Sequence, residues 1–110
     1  MSNDLSDQHC TPCKGGIPPM NAEEIQKHIQ CLPGWNVINN HHLEKTFRFK
    51  KYNQTMQFVN SVAQIAESEN HHPEMHVSYG KVQIEIFTHA VGGLSQNDFI
   101  LAAKITEIQV

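Results

Sequence analysis

Apolar residues recur at helical spacing in three stretches of this chain. The first follows Asn21, a good helix-capping residue with Glu24 three positions later, and stops at Pro33. The second lies between residues 53 and 69, where apolar positions repeat every three or four residues. The third covers residues 95–110. We therefore predict three amphipathic helices.

Alternation of apolar and polar residues marks two further regions. Residues 35–50 alternate around a polar segment at 39–42, and residues 75–89 alternate around Gly80-Lys81. Each region predicts a β-hairpin whose apolar face needs cover, which the helices can supply. The sequence therefore predicts an α+β fold in which helices pack on one face of a four-stranded antiparallel sheet. The expected order is helix-hairpin-helix-hairpin-helix.

The first 20 residues have a different composition. They are polar, and paired breakers at 11–12, 15–16 and 18–19 disfavour both helix and strand. We predict a flexible N-terminal arm over 1–20 that contains a Cys-x-x-Cys motif, followed by one domain over 21–110. A chain of 110 residues is long enough for a single hydrophobic core.

Composition narrows the classes of partner. Eight Lys and Arg against eleven Asp and Glu give a formal net charge of −3, which disfavours binding to nucleic acid. No stretch approaches the ~20 apolar residues needed to span a bilayer, and the first residues lack the pattern of a secretory signal. We expect a cytoplasmic protein with reduced cysteines and no membrane partner.

Histidines supply the candidate chemistry. The segment 67–73 contains His71 and His72, and His89 follows near the end of the last predicted strand. Imidazole exchanges protons near neutral pH, so these residues suit acid–base catalysis. Adjacent side chains on extended backbone point in opposite directions, although a bend at Pro73 could bring both imidazoles to one ligand. The alternative is that all three are solvent-exposed histidines in connections or at a strand end.

Three further residues have two explanations each. Glu67 precedes His71 by four positions and could orient its imidazole from the same helical face, or form an exposed pair of little effect. Asp98 could support a site, but it also lies where an acidic residue caps a helix that begins after Ser95. Trp35 could stack on a flat heterocycle, whereas aromatic residues at alternating positions usually belong to the core.

The arm carries a possible metal site. His9, Cys10 and Cys13 have the spacing of half a structural zinc site, which Cys31 or another histidine could complete. The alternative is an unliganded, reduced arm. With eight histidines in the chain, a metal-binding protein is one of the hypotheses that the sequence leaves open.

These residues together resemble the signature of pterin-4a-carbinolamine dehydratases, also called 4a-hydroxytetrahydrobiopterin dehydratases. The matching positions are Glu67, His71-His72-Pro73, Tyr79, His89 and Asp98. The likeness extends over about residues 21–110 through Pro33-Gly34-Trp35, Phe47-x-Phe49-Lys50-x-Tyr52-Asn53, Gly80-Lys81-Val82 and Gly93-Leu94-Ser95. The Cys-x-x-Cys arm is similar to one found in some bacterial members.

The resemblance implies an activity and partners. The reaction would be loss of water from 4a-hydroxytetrahydropterin to give quinonoid dihydropterin, as part of tetrahydrobiopterin recycling. It requires no metal or redox cofactor. The pterin would be the substrate, phenylalanine hydroxylase the metabolic partner, and the assembly a homodimer or homotetramer. Because animal members also serve as transcriptional cofactors, a non-catalytic dimerisation module is the alternative.

The resemblance also implies roles for individual residues. His71 and His89 would form the acid–base pair, and His72 would hold and polarise the pterin. Glu67 would orient this cluster, Trp35 would line the entrance, and Asp98 would support the site, where Pro73 completes the His-His-Pro motif. The chain departs from animal members at two positions, Asn70, where a carboxylate commonly stands, and Asn97, where a basic residue can stand.

Overall fold

The computed structural model describes residues 4–10 and 18–109. Within that part of the chain the helices are α1 (Ala22–Ile29), α2 (Tyr52–Glu69) and α3 (Gln96–Thr106). The strands are β1 (Asn36–Ile38), β2 (His42–Arg48), β3 (Glu74–Ser78) and β4 (Lys81–Ile86). Short 3-10 turns cover Asp4–Asp7 and His89–Val91. Of the helices described, none is long and apolar enough to cross a membrane.

The four strands form one antiparallel sheet in the order β1-β2-β4-β3. Its register places Leu43 opposite Ile86 and Met75 opposite Ile84 on one face. The apolar residues of that face join the same core cluster as the buried side chains of the helices. The opposite face carries polar residues such as Glu85. The predicted α+β class with a four-stranded antiparallel sheet is confirmed.

The helix α2 packs on this sheet and ends where the sequence predicts. Phe58 lies against Phe47, with ring centroids 4.6 Å apart. The helix ends because Asn70 adopts a left-handed conformation, with φ 52° and ψ 40°. The Asn70 N–H donates to the carbonyl of Glu67, and the His71 N–H donates to the carbonyl of Ala66. These two bonds form a Schellman motif, which turns the chain away from the helix axis just before the histidine pair.

The helix α3 is the most buried helix of those described. Most of its residues are inaccessible to solvent, including Phe99 and Leu101. The predicted cap is confirmed, because the Ser95 N–H donates to Asp98 Oδ2 at 2.7 Å and the Asp98 N–H donates back to the carbonyl of Ser95. A buried helix start needs such partners for its unpaired N–H groups. The cap therefore fixes the buried side chain of Asp98 in the first turn of α3.

Two details of the hairpins differ from the sequence pattern. The first turn consists of Asn39 and Asn40, which both have φ 53°, as the tight turns of hairpins require. His42 therefore belongs to β2 and not to the turn. His89 was expected on a strand, but β4 ends at Ile86 and His89 begins a 3-10 turn.

Residues 4–10 pack on the rest of the domain. Leu5 is buried in the core cluster, and Lys104 Nζ donates to the carbonyl of Ser6 at 2.9 Å. For residues 4–10 this corrects the prediction of a loose arm, because composition could not reveal the apolar and charged partners that the helices provide. Residues 11–17, with Cys13, lie outside the described part of the chain, and the domain boundary at 20/21 stays a prediction.

The left-handed residue at the end of α2 leads to a test of stability. Replacing Asn70 with Ala is expected to lower the free energy of unfolding by about 1 kcal/mol. A residue with a Cβ atom disfavours the left-handed conformation unless, like Asn, it has a short polar side chain that can form local hydrogen bonds. Replacing Asn70 with Gly is expected to cause no loss. Urea denaturation measures both. Asn60→Ala, on the exposed face of α2, is the control, and an equal loss in that variant would contradict the explanation.

Candidate active site

The centre of the site is a hydrogen bond between an imidazole and a buried carboxylate. His71 Nε2 lies 2.6 Å from Asp98 Oδ1. The Asp98 side chain has no solvent exposure, and that of His71 is 13% exposed. The chain turn after α2 and the cap of α3 together bring the two residues into contact across 27 positions. Asp98 therefore both caps a helix and holds a candidate catalytic histidine.

The second carboxylate oxygen of Asp98 is also occupied. Asp98 Oδ2 accepts from the hydroxyl of Thr88 at 2.9 Å and from the N–H of Ser95 at 2.7 Å. Thr88 lies at the inward-facing position two residues beyond Ile86 and is buried. Buried carboxylates need such donors, since desolvation without them is costly. The carboxylate thus joins the end of α2, the segment after β4 and the start of α3.

This network assigns the protonation of the neutral His71 ring. A carboxylate only accepts hydrogen bonds, so Nε2 carries the ring proton and donates a hydrogen bond to Asp98. The lone pair is then on Nδ1, which is the atom able to accept a proton from a substrate. A carboxylate behind the ring also stabilises the imidazolium that such a transfer forms. The geometry suits His71 for acid–base chemistry.

The neighbouring histidine has a different environment. His72 Nε2 donates to Glu67 Oε1 at 2.6 Å, and both side chains are more than half exposed. The prediction that Glu67 orients His71 from the same helical face is wrong in its pairing. The helix ends at Glu69, so His71 does not continue its face and Glu67 instead reaches His72.

The third histidine follows the Asp98 network directly in the chain. His89 comes immediately after Thr88, and its exposed ring lies 4.4 Å from the ring of Phe87 between centroids. The ring of His41 lies 4.7 Å from that of Phe87. Sequence reasoning missed Thr88 and His41. Thr88 was detectable as a polar residue at an inward-facing position where the alternation of β4 continues past Ile86.

The remaining predicted residues are Asn70 and Pro73, which flank the histidine pair, and Trp35, which is buried in the core. Asn70 is exposed and Pro73 is half-buried, and both shape the backbone on either side of the histidine pair. Trp35 is only 5% exposed, and its indole N–H donates to the hydroxyl of Thr106 at 2.8 Å. In this structure Trp35 is a core residue, which differs from the prediction that it lines the entrance.

The possible metal site in the arm is not assembled by the described residues. Among residues 4–10 and 18–109, no cluster of three His, Cys, Asp or Glu side chains could hold a metal ion. Burial and the nearby Glu69 carboxylate raise the pKa of the Cys10 thiol to about 12. Its Sγ donates to the carbonyl of Asn97 at 3.6 Å. Cys13 lies outside the described residues, so a zinc site with His9, Cys10 and Cys13 stays a prediction.

The hydrogen bond from the Thr88 hydroxyl to Asp98 Oδ2 is expected to stabilise the fold. Thr88→Val keeps the shape of the side chain but removes the hydroxyl donor, and is expected to lower the free energy of unfolding by about 1–3 kcal/mol. Thr46→Val, at an exposed position of β2, is the matched control, with an expected change within about 0.5 kcal/mol. Urea denaturation compares the two. Equal effects would show that the Thr88 hydroxyl does not stabilise Asp98.

The raised pKa of Cys10 predicts low thiol reactivity. The thiolate is the nucleophile, so Cys10 should react with iodoacetamide at pH 8 more slowly than the exposed Cys31. Peptide mass spectrometry after timed labelling measures each rate. Labelling in denaturant is the control and should bring the two rates together. Faster labelling of Cys10 in the folded protein would contradict the described environment.

Comparison with known proteins identifies the family of this chain. A family model described as pterin 4 alpha carbinolamine dehydratase matches residues 18–108. A relative from Nitrosospira multiformis is 52% identical over 103 residues, which cover 94% of this chain and 90% of the relative. A relative from Rubrobacter xylanophilus is 42% identical over 106 residues, which cover 96% and 99%. Both relatives are provisionally named pterin-4-alpha-carbinolamine dehydratases.

A solved structure gives the same result at the level of the fold. The crystal structure described as a transcriptional coactivator/pterin dehydratase from Brucella melitensis is similar with a TM-score of 0.76 and 26% sequence identity. The match covers 80% of this chain and 95% of that one. The chain belongs to the pterin-4-alpha-carbinolamine dehydratase family, whose members are hydro-lyases.

Proposed function

We propose that this protein removes water from 4a-hydroxytetrahydropterin to give quinonoid dihydropterin, with histidines as the general acid and base. The observation that carries the proposal is the 2.6 Å hydrogen bond between His71 and the buried Asp98. This bond leaves Nδ1 of a polarised imidazole for proton transfer. His71 is next to His72 in the chain. Thr88, whose hydroxyl donates to Asp98, directly precedes His89.

The reaction balances with two proton transfers. His71 accepts the proton from N5 of the pterin as the C4a–N5 double bond forms and the C4a–O bond breaks. His89, in its protonated form, donates a proton to the departing hydroxyl, which leaves as water. Exchange of protons with solvent restores both rings. Elimination of water moves only protons and an electron pair within the substrate, so the proposed chemistry requires no metal and no redox cofactor.

Other residues have binding roles in this proposal. His72 holds and polarises the pterin, and Glu67, which bonds its Nε2, fixes the orientation of the ring. Asn70 and Pro73 set the backbone that presents the two histidines. We further propose that the protein works as a homodimer or homotetramer, in the recycling of tetrahydrobiopterin beside phenylalanine hydroxylase.

A second candidate function is a binding role without catalysis. It is favoured by the Brucella melitensis structure, which is described as both transcriptional coactivator and pterin dehydratase. The two functions differ in what they require from the site. Catalysis requires the His71 and His89 imidazoles, whereas an assembly role does not. Turnover therefore decides between them.

The test of catalysis is a coupled stopped-flow measurement. Phenylalanine hydroxylase generates the 4a-hydroxytetrahydropterin, and absorbance follows its decay. Wild-type protein should accelerate decay, and His71→Ala or His89→Ala should lower the enzymatic rate constant by about 10²–10⁴-fold. His76→Ala, at an exposed position of β3, is the control with an expected rate near wild type. No acceleration by folded wild-type protein would contradict the proposal and favour the binding role.

The same assay predicts a dependence on pH. The rate constant above the uncatalysed background is expected to follow a bell-shaped profile between about pH 5 and about pH 9. It falls toward acidic pH because protonation removes the lone pair of the imidazole base, and it falls toward alkaline pH because His89 loses the proton that it donates. Subtracting the decay measured without protein at each pH removes the acid-promoted reaction. A flat enzymatic profile over this range would contradict a histidine base.

A further inference from the structure

A second buried carboxylate lies close to the site but outside the proposed chemistry. Glu69 is the last residue of α2, two positions before His71, and it is only 8% exposed. Its Oε1 accepts from the backbone N–H of Cys10 at 2.7 Å, and its Oε2 accepts from His9 Nδ1 at 2.8 Å. Lys104 Nζ, from α3, lies 3.7 Å from Oε2. Glu69 thus contacts both the N-terminal segment and α3.

The N-terminal segment, residues 4–10, contacts α3 along much of its length. The segment accepts a hydrogen bond from Lys104 Nζ at the carbonyl of Ser6. Gln96 Nε2 donates to Gln8 Oε1 at 2.9 Å, in the first turn of that helix. Leu5 is buried in the core. The segment is therefore anchored on α3 and bonded to Glu69 at the end of α2.

The first turn of α3 is the part that carries Asp98. The thiol of Cys10 donates to the carbonyl of Asn97, one residue before Asp98, while the N–H of Cys10 binds Glu69. One residue thus connects the end of α2 with the start of α3. These are the two places that hold the His71 and Asp98 side chains in contact.

Charge supports this role for Glu69. Burial by itself would raise the pKa of its carboxyl group. The hydrogen bonds from Cys10 and His9 and the charge of Lys104 outweigh burial and lower that pKa below its ordinary 4.5. At neutral pH Glu69 is therefore an anion that the N-terminal segment and α3 both satisfy.

We propose that Glu69 is a positioning residue of the dehydratase site, and that the N-terminal segment is part of that site's support. By binding the segment and Lys104, Glu69 fixes the end of α2 against the start of α3. The His71–Asp98 hydrogen bond depends on that fit, since a shift of about 1 Å in supporting structure can lower a rate by ~10²-fold. The inference rests on the proposed function for its kinetic consequence only.

The first test compares Glu69→Gln with Glu107→Gln, an exposed acid at the end of α3. In Glu69→Gln we expect kcat to fall by about 10-fold or more with little change in KM, because the reacting histidine is displaced while the pterin contacts remain. Glu107→Gln should match wild type. Leu5→Ala loosens the segment without altering Glu69, and it should lower kcat in the same direction.

The second test does not depend on activity. Nitrogen-15 spectra of the histidine rings report whether His71 keeps its proton on Nε2. We expect one Nε2-protonated form in wild type and Glu107→Gln, and a mixture of forms in Glu69→Gln and Leu5→Ala. Reduced thermal stability in both variants, with unchanged His71 signals and kcat, would overturn the proposal in favour of a purely structural role.

The two tests also separate the inference from the proposed function. If wild-type protein does not accelerate the dehydration, the proposed function fails, and the His71 signals still decide whether Glu69 positions the ring. If Glu69→Gln does not fold, Leu5→Ala and Lys104→Met supply the comparison. Unchanged His71 signals in both of those folded variants would overturn the inference.

Discussion

The buried carboxylate of Asp98 is the constraint on which the site depends. One oxygen binds His71, and the other binds Thr88 and the N–H that opens α3. Three separate parts of the chain therefore meet at one side chain. Because a desolvated carboxylate without donors would be costly, the helix start, the end of the sheet and the turn after α2 must all be in place together. The fold and the chemistry share this requirement.

The two adjacent histidines show how position decides role. His71 is directed inward to a carboxylate with no exposure, where an ionic hydrogen bond is strong and orients the ring. His72 is directed outward to Glu67, and an exposed pair of this kind contributes about 0–1 kcal/mol to stability. His72 therefore keeps freedom to meet a ligand, whereas His71 is held in one orientation. A single turn of backbone at Asn70 separates these two environments.

Sequence reasoning found the helices, the hairpins and the helix caps at Asn21 and Ser95, because these follow from periodicity and local hydrogen bonding. It assigned the wrong partner to His71, since helical spacing holds only while the helix continues and the left-handed Asn70 ends it. It treated residues 4–10 as loose, because a polar composition does not reveal that Glu69 and Lys104 form hydrogen bonds with these residues in the folded domain. Contacts distant in sequence leave no periodic signal.

The most direct measurement is a structure of the protein with a stable dihydropterin bound. We expect the ring to lie within hydrogen-bonding distance of His71 Nδ1 and to contact His72 and His89, with the His71–Asp98 bond intact. A pterin bound elsewhere, for example on the polar face of the sheet near Glu85, would contradict a site built around His71 and Asp98. So would a ring that displaces His71 from Asp98.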